Sequence, residues 1–129
     1  MALLKDLPIY KAAYDLLNAA SEITKNFPRD FKRLMGDKVL QECMEIIVLI
    51  FKANAANHKI DHINLMLEHV QVVELLLRLS RDKRFISTKQ YSGVIEITDA
   101  VGKQASGWKK QQITASPAIE SPRQLNLCD

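Results

Sequence analysis

The chain has 129 residues, of which 47% are hydrophobic and 26% charged, with four glycines, four prolines and two cysteines. This is enough apolar material for one domain with a core and too much for a disordered chain, and the scarcity of Gly and Pro argues against a turn-rich β fold. Eighteen basic residues stand against fifteen acidic ones, a net charge of +3, too mild a bias to name a partner unless the charge is clustered.

Residues 1–6 bring charges before any apolar run, so no secretory leader is expected there. The first helix is expected to start at Leu7-Pro8, with Asp6 as N-cap and Pro8 where a missing N–H costs no hydrogen bond. Ile9, Ala13, Leu16, Leu17, Ala20, Ile23 and Phe27 recur at helical spacing, and Pro28 closes the segment because the residue before proline disfavours the α region. Pro28-Arg29-Asp30-Phe31 opens a second segment, Gly36-Asp37 marks a kink or short break, and 38–56 is strongly helical, with Asn54, Asn57 and His58 suiting its end. A third helix is expected from Lys59 or Ile60 to Ser80, with Ile63, Met66, Leu67, Val70, Val73 and Leu77 on one stripe.

A polar connection, 80–84, leads to Ser87 or Thr88 as cap of a fourth helix. Its stripe is Tyr91, Val94, Ile95, Thr98, Val101, Ala105 and Trp108; Trp108 reads as a core anchor, and Gly107 beside it as a place where another backbone comes close. The expected organisation is an all-α, antiparallel up-down-up-down four-helix bundle over 1–112, since short connections make consecutive helices antiparallel neighbours, followed by a disordered polar tail over 113–129.

Two helices carry more apolar surface than one bundle absorbs. Cys43, Met44 and the run 46–51 cover nearly the whole circumference of the second helix; Leu65, Val72, Leu75, Leu76 and Leu79 give the third a second apolar face. A bundle helix needs a single stripe, and surplus apolar faces mark partner surfaces, so a homo-oligomer through these helices is expected.

In this topology the first and third connections share one pole. Lys25, Arg29, Lys32, Arg33 and Lys38 lie near the first, and Arg78, Arg81, Lys83, Arg84 and Lys89 near the other, against Asp30, Asp37 and Asp82. Clustered cations bind phosphate backbones by releasing condensed counterions. Arg29, Lys32, Arg33, Arg78, Arg81, Lys83, Arg84 and Lys89 are therefore the candidate nucleic-acid-binding residues, the arginines foremost because guanidinium pairs bidentately with phosphate. No base-reading motif accompanies them, so sequence-specific recognition is not expected.

Catalytic and metal chemistry is not expected. His58 and His62 are four apart but straddle a helix–helix turn, and His69 lies two turns further on; Glu42, Glu45, Glu68 and Glu74 lack the Glu-x-x-His spacing of di-iron bundles. No glycine-rich phosphate loop is present, and Cys43, Ser80 and Ser92 have no orienting His–acid pair nearby in sequence. No cofactor is implied. Cys43, in an apolar run, and Cys128, in a polar tail, are expected to be reduced, which with no ~20-residue apolar span points to the cytoplasm.

The stretches Phe27-Pro28-Arg29-Asp30-Phe31-Lys32-Arg33, Arg78-Leu79-Ser80-Arg81-Asp82-Lys83-Arg84-Phe85-Ile86-Ser87-Thr88-Lys89-Gln90-Tyr91 and Gly102-Lys103-Gln104-Ala105-Ser106-Gly107-Trp108-Lys109 resemble the accessory variability determinant (Avd) family of diversity-generating retroelements. That family is related to the four-helix proteins of ribosomal RNA intervening sequences. Ser106 stands where the family often has the first of two glycines before the tryptophan. The resemblance, over about 7–110, implies a basic, barrel-like homopentamer, phage-encoded and without catalysis. It also implies binding to the element's reverse transcriptase and template RNA, with DNA the other candidate nucleic acid, and a requirement in mutagenic retrohoming. The competing expectation is an oligomeric structural or adaptor protein with no nucleic-acid role.

Overall fold

The structure is a computed structural model that describes residues 3–115. A 3-10 turn, Leu4–Asp6, leads into α1, Pro8–Thr24. The expected cap role of Asp6 is not what the structure holds: Leu7 occupies the N-cap with no side-chain bond. Asp6 is part of the 3-10 turn, whose backbone bonds Asp6 N–H to Leu3 O and Leu7 N–H to Leu4 O carry the chain into the helix. Pro8, lacking an N–H, removes one of the donors a cap would have satisfied.

After Phe27 and Pro28 the chain forms α2, Arg29–Phe31, then a π-helical turn, Lys32–Gly36, then α3, Asp37–Ala55. The kink or break expected at Gly36-Asp37 is instead a widened turn through which the helix continues; Gly36 has helical torsions, φ −62° and ψ −47°. A Cβ on Gly36 would sit 3.4 Å from Thr24 Cβ, an ordinary contact distance, so the end of α1 lies against the π turn. The other close approach expected, at Gly107, is absent: a Cβ there meets no described atom within 4 Å.

α3 ends at Ala55, with Asn54 in its last turn and Asn57 and His58 just beyond, and a lysine side chain closes it. Lys59 Nζ donates to the carbonyls of Ala53 (2.8 Å), Asn54 (3.3 Å) and Ala56 (2.7 Å), filling acceptors that a helix end leaves open. α4, Ile60–Asp82, ends in a Schellman turn, with Phe85 N–H on Ser80 O and Arg84 N–H on Arg81 O. α5, Thr88–Ala115, opens with a capping box: Gln90 N–H donates to Ser87 Oγ (3.0 Å) and Ser87 N–H to Gln90 Oε1 (2.8 Å). α5 reaches three residues past the expected bundle end at 112, where 113–115 contain no helix breaker. The rest of the expected tail, Cys128 included, lies outside the described residues.

α1 packs on α3 and α5, and α4 packs on α3 and α5, so the helices close a four-membered antiparallel ring. Leu16, Val39, Ile46, Ile50, Ile63, Met66, Val73, Leu77 and Val101 fill it and are fully buried. The buried hydroxyls of Thr24, Ser80 and Thr98 bond to carbonyls four residues back, which removes their desolvation cost. The surplus apolar faces stay outside: Met44, Val48 and Phe51 on α3, and Leu65, Leu75 and Leu79 on α4, are exposed. Trp108 is half-buried against the core.

Candidate nucleic-acid interface

Three phenylalanines bring the two basic connections together. Phe85, just after α4, packs on Phe27 (ring centroids 5.4 Å apart) and Phe31 (4.8 Å), which flank the start of the second long helix. Lys83 Nζ lies 5.9 Å from the centre of the Phe31 ring. Arg29, Lys32 and Arg33 thus share one pole with Lys83 and Arg84, anchored by the buried Phe27 and Ile86. Lys25, Arg29, Lys32 and Arg33, with Phe27 and Asp37, line an open hollow of about 470 Å³.

The candidate cations are not equivalent. Arg81 lies over the Tyr91 ring (4.5 Å) and donates from Nε (3.2 Å) and Nη2 (3.0 Å) to Asp82, so its charge is partly answered within the protein. Arg78 sits about one turn before Arg81 on α4, where it is exposed and its charge acts on Glu74 at longer range. Lys25 pairs with Glu22 and Lys38 with Glu42, both at 3.1 Å. Among the described residues, Arg29, Lys32, Arg33, Arg78, Lys83, Arg84 and Lys89 enter no ion pair, and all seven are exposed. Exposed cations without intramolecular partners leave the protein's field open to an outside anion.

Arg84 is unusual in backbone as well as charge. Its φ is +64°, at the position of the Schellman turn where glycine is the ordinary residue. A side chain there costs on the order of 1 kcal/mol in backbone strain. The cation sits beside the carbonyl end of α4, which offsets part of that cost.

One polar network was not legible in the sequence. Glu42 is buried between α3 and α4, where His69 Nδ1 and Lys38 Nζ both contact its carboxylate. Burial alone would raise its pKa; the hydrogen bonds and charges of His69 and Lys38 outweigh it and hold the carboxyl below its usual range. The partners are 27 residues apart on different helices, a separation with no periodic signature. A lowered folded value means that the contribution of Glu42 to stability is present above the ordinary carboxylate pKa and is lost as pH falls through the folded one. Glu74 has the opposite sign: burial, then the nearby Asp99, raise its pKa, so its ionised form opposes folding at neutral pH and that opposition lifts on acidification. Glu42→Gln is expected to cost about 1–3 kcal/mol at pH 7 and to flatten the acid limb of the stability curve. Urea melts of both proteins from pH 7 to 3 check this; parallel curves would refute it.

Cys43, also against this network, is fully buried, and burial, with the charge of Glu42, pushes its thiol up to about 12. It is an inert core residue rather than a nucleophile.

Comparison with known proteins places these features in a family. No curated protein sequence matches the chain. A crystal structure described as a protein with unknown function from the S23 ribosomal protein family, from Bacteroides thetaiotaomicron VPI-5482, superposes with a TM-score of 0.72. It covers 79% of this chain and 98% of that one at 18% identity, a likeness of fold. The family model described as bAvd-like matches residues 7–112, spanning the four long helices and the basic pole, and the chain belongs to the bAvd-like family.

Proposed function

We propose that this protein is a non-catalytic accessory factor of a diversity-generating retroelement. It binds nucleic acid through the basic pole, holds the element's reverse transcriptase on its subunit surfaces, and is needed for mutagenic retrohoming in the cytoplasm of the host cell. The observation that carries this reading is the convergence of Arg29, Lys32, Arg33, Lys83 and Arg84 on one pole, fastened by the Phe27–Phe85–Phe31 contacts and left without ion pairs among the described residues. Membership of the bAvd-like family supports it.

The exposed apolar residues of α3 and α4 support assembly into a ring, five copies as the family resemblance implies. A ring repeats the basic pole, so several weak phosphate contacts act together. RNA binding measured across a salt titration tests the reading. Phosphate-dominated binding gives a slope of log K against log salt of about −0.7 to −0.9 per neutralised phosphate, so a steep, negative, nearly sequence-independent slope is expected. No binding, or binding insensitive to salt, would leave the structural adaptor as the better account.

A further inference from the structure

Resting on the nucleic-acid reading above, we propose that the basic pole takes unpaired strands in preference to duplex, with Phe31 as the surface on which a base stacks. Phe31 is 36% exposed and Leu34, three residues on in the π turn, is 69% exposed. These two apolar groups stand among exposed Arg29, Lys32 and Arg33, with Lys83 across the Phe31 ring. The ring is held in place by Phe85, tilted 38° to it, which also packs on buried Phe27. The result is a fixed aromatic ring at the edge of a cationic surface.

The two kinds of nucleic acid offer such a surface different groups. A duplex presents phosphates and sugars outward and keeps its base faces stacked inside, so it uses the cations and gains nothing from Phe31 or Leu34. An unpaired strand presents both phosphates and free base faces. Aromatic rings set among cations suit it, since base–aromatic stacking tolerates any sequence. The cation–π contact of Lys83 at an exposed site is weak enough to yield to an incoming base.

The test uses the full chain and two dye-labelled RNAs, a 12-nucleotide unstructured strand and a hairpin with a stem of the same sequence, followed by fluorescence anisotropy at matched ionic strength. The wild type is expected to bind the unpaired strand at least 10-fold more tightly. Phe31→Leu, which keeps an apolar contact to Phe85 but removes the ring, is expected to cut single-strand affinity about 5- to 150-fold, the range of one lost stacking contact. Hairpin affinity and the salt slope should stay put, because no charge is removed. Phe31→Tyr should retain the preference, and circular dichroism establishes that each variant is folded; if Phe31→Leu is not, Leu34→Ser, further from the aromatic cluster, takes its place. Equal wild-type affinity for strand and hairpin, or a Phe31→Leu loss shared by both, overturns the proposal while leaving nucleic-acid binding intact. Absence of binding to either RNA overturns the nucleic-acid reading and this one with it.

Discussion

Replacing Arg29, Arg33 and Arg81 by Ala and Arg84 by Gly is expected to lower RNA affinity about 10²- to 10³-fold near 0.1 M salt. The slope of log K against log salt should become shallower by about two to three. Each guanidinium that neutralises a phosphate contributes roughly 0.7 to 0.9 to that slope, and Arg81 should contribute least because Asp82 and Tyr91 already engage it. Glycine is the better replacement at residue 84: it removes the cation and relieves the positive φ at once. Arg29, Arg33 and Arg84 are exposed and none contributes to the core, so helicity should change little and any fall in melting temperature should come from Arg81, which packs on Tyr91. Filter binding at four or five salt concentrations reads both quantities. An unchanged slope would show that the phosphates lie elsewhere on the molecule.

The second large effect concerns assembly. Leu75 and Leu79 are 61% and 39% exposed and lie one turn apart on the outer side of α4. In an isolated subunit, Glu at both positions is solvated and harmless, and it removes apolar surface from water. In an interface it places unpaired carboxylates against apolar side chains, at several kcal/mol per buried charge, which a marginal subunit contact does not survive. Leu75→Glu/Leu79→Glu is therefore expected to elute as a folded monomer at 10 µM where the wild type elutes as an oligomer, a difference that light scattering coupled to gel filtration resolves. RNA affinity of the double variant should also fall toward that of a single basic pole, because avidity is lost while every arginine remains. An oligomer of unchanged mass would put the interface on another face.

Much of the fold could be read from spacing alone, because a bundle helix declares itself through a 3.6-residue apolar stripe and local capping chemistry. The segments expected at 38–56 and from Ile60 to Ser80 match α3 and α4 to within two residues. The Ser87 cap is present with its Gln90 partner, one turn away in sequence. Where the reading missed, a competing local choice was energetically close. Asp6 was a good cap, but a 3-10 turn and Pro8 left it nothing to cap. Gly36 looked like a breaker, yet its torsions are helical and the chain continues through one π turn into α3. At the end of α3 the spacing gave no sign of Lys59, whose long side chain reaches back to three carbonyls from the start of the next helix.

By itself, then, the sequence determined four amphipathic helices, their antiparallel order, the surplus apolar faces on α3 and α4, and the supply of cations to one end. These follow from periodicity and chain connectivity, which are local. Only the tertiary structure decided which cations stay open to an outside anion and which are answered from within, since Arg81 lies over Tyr91 of the next helix while Arg29 and Arg33 meet no acid among the described residues. It also decided that Glu42 and His69 would meet, and that Phe85 would clasp Phe27 and Phe31 and so join the two basic connections. Contacts between residues far apart in the chain depend on how helices rotate and slide against one another as they bury their stripes, and periodicity carries no record of that rotation.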